Sequence, residues 1–113
     1  MARPPESRRA APRVPLRLEA AYEDPANQVF LTTRDVSESG IYLWAAQPPP
    51  EGIAVRVLLE LPGHPAILRL PGVVARREPG VGFAVAFDQE HLGGPVSSAL
   101  REFMRESQAR PSQ

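Results

Sequence analysis

The chain has 113 residues, no cysteine, two histidines and a formal net charge of zero, which suits one domain with a modest core and excludes disulfides and thiolate metal sites. No apolar run approaches the roughly 18 residues that a membrane-spanning helix needs, and Met1 to Arg13 lacks the apolar stretch of a secretory signal. The expectation is a soluble cytoplasmic domain without membrane insertion, and His64 and His91 are too few and too far apart to suggest a metal centre.

All thirteen basic residues are Arg, and five of them (Arg3, Arg8, Arg9, Arg13 and Arg17) fall in the first seventeen positions against Glu6 alone. The front of the chain is therefore anion-attracting on an otherwise balanced protein. Residues 1–13 hold few apolar groups beyond Ala and Pro, too few to offset the entropy of ordering, and are expected to form a flexible basic arm. The body is expected over 14–108, with a frayed tail at 109–113. Strand one alternates Leu16, Leu18, Ala20 and Tyr22 against Arg17, Glu19 and Glu23. Asp24 to Asn27 reads as a turn, and strand two as Gln28 to Thr33.

Alternation stops at Thr33 and resumes at Ile41. The intervening stretch exceeds the two to five residues of a plain hairpin loop and is expected to be a polar connection. Strand three follows, Ile41 to Ala45, with Tyr42 and Trp44 on the face opposite Ile41 and Leu43. Packing of these two aromatics against a C-terminal helix is favoured over a role as a ligand platform. Three prolines at 48–50 break the ladder. Strand four alternates Ile53, Val55, Val57, Leu59 and Leu61 with polar or small residues. Strand five, Ile67 to Glu78, carries Pro71-Gly72, where a bend or bulge is expected. After the Pro79-Gly80 turn, strand six alternates Val81, Phe83, Val85 and Phe87. Pro95 opens a helix whose apolar face is Val96, Leu100, Phe103 and Met104. Six short strands and one helix predict a mainly β fold, a small antiparallel barrel with a C-terminal helix across one open end.

Catalysis finds little support. Ser37 has Asp35 nearby, but both histidines lie elsewhere and no nucleophile-elbow pattern occurs. With no Lys, a phosphate-loop lysine is absent. The binding-type features are two. In the arm, Arg9 and Arg13 stand four apart, and two guanidiniums on one tether can converge on a phosphate or a guanine edge. Between strands two and three, Asp35, Ser37 and Gly40 supply acceptors, a hydroxyl, and a position where backbone or ligand can approach closely. Each alone is explained by a solvated tail or a polar turn.

Together and in this order, Arg-x-x-x-Arg before strand one and Asp-x-Ser-x-x-Gly between strands two and three resemble the PilZ domain family, bacterial receptors for cyclic di-GMP. The resemblance spans residues 8 to 106, and Val81 to Phe87 is similar to the family's closing strand. It implies that Arg9 and Arg13 bind phosphates and guanine edges, that Asp35 accepts from guanine N1 and N2, that Ser37 bonds the nucleotide, and that Gly40 leaves room for it. Arg8 would be an auxiliary ligand. The expected function is a non-enzymatic receptor, with cyclic di-GMP as ligand and no other cofactor. It would relay its signal to an unidentified protein partner in signalling or motility by ordering the arm. The alternative is an adaptor of the same fold, acting in motility or polarity through protein contacts without nucleotide. A barrel binding DNA or RNA through the arm is disfavoured by the zero net charge.

Overall fold

The computed structural model describes residues 13–64 and 67–109, with the side chains of 108 and 109 excepted. Arg8 and Arg9 lie outside the described residues. Seven strands appear in chain order: β1 (Val14–Pro15), β2 (Glu19–Glu23), β3 (Gln28–Val36), β4 (Gly40–Trp44), β5 (Ala54–Glu60), β6 (Ile67–Glu78) and β7 (Gly82–Phe87). A 3-10 turn (Gln89–His91) leads into helix α1 (Gly94–Ala109). All pairings are antiparallel, in the order β3-β2-β5-β6-β7-β4, and β4 pairs back onto β3. The sheet closes on itself as a six-stranded barrel, so it leaves no long unpaired edge.

Six staves accommodate seven strands because β1 and β2 form one stave. Both pair with β3, but the register steps by one residue between Pro15↔Asp35 and Glu19↔Thr32. The fully buried Thr33 bridges the break. Its hydroxyl accepts from the Leu18 N–H at 2.9 Å and donates to the Leu16 carbonyl, and its own N–H donates to the Leu18 carbonyl at 3.0 Å. One side chain thus satisfies backbone groups that the interrupted ladder would leave unpaired.

The alternation read from the sequence is the alternation of the barrel wall. Leu18, Ala20, Tyr22, Val55, Val57, Leu59, Leu68, Leu70, Val74, Phe83 and Val85 point into one core, where Tyr22 meets Phe83 edge-on with ring centroids 5.3 Å apart. Leu100 and Met104 of α1 are buried in the same cluster, with Val96 and Phe103 packed beside them, so the helix covers the barrel with its predicted apolar face. No described helix is long and apolar enough to cross a membrane.

The irregularity expected at Pro71-Gly72 falls elsewhere. Pairing with β5 runs through Arg56↔Pro71 and Val55↔Gly72 without a step. The register shift in β6 lies instead between Val74 and Arg76, against β7. Pro71 is tolerated because its carbonyl, accepting from Asp88 N–H at 2.8 Å, faces the side where β7 has already ended. Its missing N–H points the same way, so no ladder bond is lost.

Candidate ligand-binding site

The polar connection between Thr33 and Ile41 is shorter than its composition suggested. Strand β3 continues through Asp35 to Val36, and β4 begins at Gly40, leaving only Ser37, Glu38 and Ser39 as the loop. This is a tight hairpin, not a long connection. Ser37 is fully buried and closes the loop. Its N–H donates to the Gly40 carbonyl at 2.8 Å, while its hydroxyl accepts from the N–H groups of Ser39 and Gly40 at 3.2 and 3.1 Å. Gly40 is needed for strand contact: a Cβ there would lie 2.6 Å from the Val85 carbonyl oxygen of β7, inside any allowed contact. From outside, the Glu38 carboxylate meets Arg101 of α1 at 3.5 Å, and its carbonyl accepts from Gln89 at 3.3 Å.

Polarity at 34 and 35 hides a bulge. Thr33 pairs with Leu43, Asp35 with Tyr42 and Val36 with Ile41, so Arg34 is the extra residue. In a regular strand, Val36 would share the outward face with Arg34 and leave the core. The added residue resets the parity, so Val36 joins Ile41 and Leu43 in the core while Arg34 and Asp35 both lie outward beside Tyr42. The bulge concentrates two charges and an aromatic ring at one point on the barrel wall.

At that point Asp35 is gripped from two sides. Arg13, the last residue before β1, donates through Nε to Oδ1 at 2.7 Å, with Nη2 also 2.7 Å from that oxygen. Arg34 donates through Nε to Oδ2 at 2.8 Å. The carboxylate side chain is only 12% exposed, whereas Arg13 and Arg34 are 45% and 39% exposed. The Arg34 guanidinium also lies 3.7 Å above the Tyr42 ring and 5.8 Å from that of Trp44, and Tyr42 meets Trp44 edge-on at 6.1 Å.

Tyr42 is fully buried although it points outward. Its ring fills the space above Gly82, where a Cβ would come within 2.6 Å of it, and its hydroxyl donates to Glu78. Burial, then the hydrogen bond and charge of Glu78, raise the Tyr42 pKa above its ordinary value of 10.0, against an opposing pull from Arg34 and Arg76. The expected packing of Tyr42 and Trp44 against the C-terminal helix is therefore corrected. Their partners are Arg34, Glu78 and each other, because the pleat of β4 turns them to a wall that α1 does not cover.

Of the residues expected to bind, Arg13 and Asp35 are brought into direct contact, 22 positions apart in sequence. Ser37 and Gly40 shape the hairpin behind them, and Arg9 with Arg8 lies outside the described residues. Tyr42 and Trp44, for which a platform role was disfavoured, join the cluster, as does Arg34, which the sequence did not mark; only the bulge brings Arg34 there. Elsewhere, Asp88, Glu90 and His91 bring candidate metal-ligand atoms within 4.8 Å of one another. Asp88 is occupied in capping the 3-10 turn, accepting from Glu90 N–H, and the hydrogen bond from His91 holds its pKa low. A cleft of about 380 Å³ among Glu23, Arg56 and Pro71 includes none of the motif residues. The Asp35 cluster lies on the outer wall of the barrel, its carboxylate covered by two half-exposed guanidiniums.

The model of the family described as PilZ domain matches residues 7–105. No curated protein matches the sequence. Among solved structures, the inhibitor of motility MotI/DgrA of Bacillus subtilis aligns with a TM-score of 0.79 at 16% identity, over 100% of this chain and 55% of its own. The PilZ domain of YcgR from Escherichia coli, solved with c-di-GMP, aligns at 0.70 and 10% identity, over 90% and 92% of the two chains. PlzA of Borreliella burgdorferi, in complex with c-di-GMP, aligns at 0.59 and 12% identity, over 76% of this chain and 32% of its own. The chain thus spans little more than half of MotI/DgrA and about a third of PlzA. At these identities the likeness is one of fold.

Proposed function

The chain belongs to the PilZ domain family, and from that premise we propose that it is a non-enzymatic receptor that binds cyclic di-GMP on the outer face of the β3–β4 hairpin. The observation that carries this is the contact of Arg13 with Asp35. It joins one residue from each half of the two-part motif in one charged cluster on the barrel wall.

The chemistry follows from the pairing. A carboxylate accepts from the N1–H and N2–H donors of guanine, and a guanidinium binds phosphate oxygens in bidentate fashion. Without ligand the two groups satisfy each other. Binding exchanges the Arg13–Asp35 pair for Arg13–phosphate and Asp35–guanine, freeing Oδ1 while Arg34 remains on Oδ2. The exchange leaves neither charge unpaired, and the nearly half-exposed Arg13 can swing to the phosphate without leaving solvent. Arg9 adds a second guanidinium and Arg8 an auxiliary one. Ser37 contributes by holding the hairpin, since its hydroxyl is already engaged by the loop backbone; Gly40 contributes by letting β4 approach β7. The ligand-bound segment 1–13 then alters the surface offered to a partner protein in the cytoplasm.

Titration calorimetry with cyclic di-GMP tests this. Binding by the native chain is expected, and Asp35→Ala or Arg9→Ala should weaken it more than about tenfold, the worth of one charged bidentate contact. Absence of heat at high micromolar ligand would sink the proposal. The likeness to a motility inhibitor favours a second reading, an adaptor that works through protein contact without nucleotide. Retention of a motility partner by an Arg9→Ala/Arg13→Ala variant, with no heat from the native chain, would select it.

A further inference from the structure

Arg34 stands just before the Asp-x-Ser-x-x-Gly motif, and its guanidinium is held from two directions. Asp35 fixes its Nε at 2.8 Å, and the Tyr42 ring lies 3.7 Å beneath it. The ring in turn is locked by Glu78 and by the absence of a side chain at Gly82. Even so, the Arg34 side chain remains 39% exposed, and Trp44, 38% exposed, borders it at 5.8 Å. A cation held over one ring and tied at its Nε has given up much of its rotamer freedom before any ligand arrives, so stacking on its exposed side costs little further ordering. A flat heterocycle there would be attracted by the cation and would bring its edge beside the Asp35 carboxylate.

Resting on the reading of this site as a cyclic di-GMP receptor, we propose that the Arg34–Tyr42–Trp44 stack is the platform on which a guanine base of the ligand lies, with Arg34 as a stacking residue additional to the arm arginines. Tyr42 acts as a positioning residue beneath it, and Trp44 forms the side wall. The stack fixes the plane of the base, and Asp35 reads its edge. Specificity for a purine attached to phosphate, over phosphate alone, is then built on the barrel wall.

The chain supplies its own reporter, because Trp44 is its only tryptophan. Cyclic di-GMP should change Trp44 emission in parallel with the heat of binding, whereas inorganic phosphate should leave it unchanged. Arg34→Lys keeps the charge, and its stem still covers Tyr42, but it has no planar group to stack. It should bind about fivefold to tenfold more weakly with an unchanged melting temperature. Heat without any change in Trp44 emission, or equal affinity for Arg34→Lys and the native chain, overturns the platform and leaves the receptor reading standing. No heat from the native chain removes both. If Arg34→Lys does not fold, the emission of the native chain decides alone.

Discussion

Two hairpins of the same barrel are built to different ends. β5 and β6 pair over seven consecutive positions from Ala54↔Val73 to Glu60↔Ile67 without a step. Their alternation sends Val55, Val57, Leu59, Leu68 and Leu70 into the core. β3 and β4 pair at three positions with a bulge between them. Where β4 meets β7, a side chain at Gly40 or Gly82 would clash with the facing strand. The regular hairpin gives one face to the core and leaves the other to solvent. The irregular one uses both: Val36, Ile41 and Leu43 inside, and an ordered charged and aromatic cluster outside. A local break in the ladder lets a strand serve the core and a site at once. The cost is contained because Thr33 and Ser37 repair the backbone bonds nearby.

Substitutions can separate the two roles. The largest effect is expected in the regular hairpin. Leu59→Ala should destabilise the fold by about 2–5 kcal/mol, measured by urea denaturation, while the folded fraction keeps native affinity for cyclic di-GMP. An equal loss of affinity would show that the hairpins are not separable. Thr33→Val preserves shape but leaves the Leu18 N–H without its acceptor, and should cost about 1–3 kcal/mol by the same assay. Little change would mean that the β1–β2 junction relaxes onto water.

The smallest effect belongs to Tyr42→Phe, which keeps the ring and removes the bond to Glu78, at roughly 1 kcal/mol near neutral pH. Its pH dependence has a definite sign. The folded pKa of Tyr42 is raised, so its contribution is intact below 10.0 and is lost as pH rises past that value through the folded one. Tyr42→Phe should therefore lose less stability on the alkaline side than the native chain. Tyr22, whose pKa is also raised by burial and by Asp24, should keep the remaining alkaline loss the same in both.

The barrel was legible because its inward positions repeat with period two in short runs bounded by Pro and Gly, as in Val55 to Leu61 and Phe83 to Phe87. Val81, read as part of the last run, lies before β7 and is exposed. The helix was legible from Val96, Leu100, Phe103 and Met104. Arg34-Asp35 was not, since two adjacent polar residues read as the end of a strand, and a bulge is defined only by what lies opposite. For the same reason Arg34, next to a motif but outside it, went unnoticed: spacing along the chain cannot show that an extra residue turns its side chain onto Tyr42. Pro71-Gly72 misled in the other direction, because whether a proline breaks a ladder depends on which neighbour its N–H would have faced.

Backbone amide NMR during addition of cyclic di-GMP tests the division between the hairpins most directly. Shifts concentrated at Arg13, along β3 from Thr33 to Val36, and at Tyr42 and Trp44, with β5 and β6 unmoved, are the expected result. Shifts centred on β5 and β6, or none at saturating ligand, would contradict it.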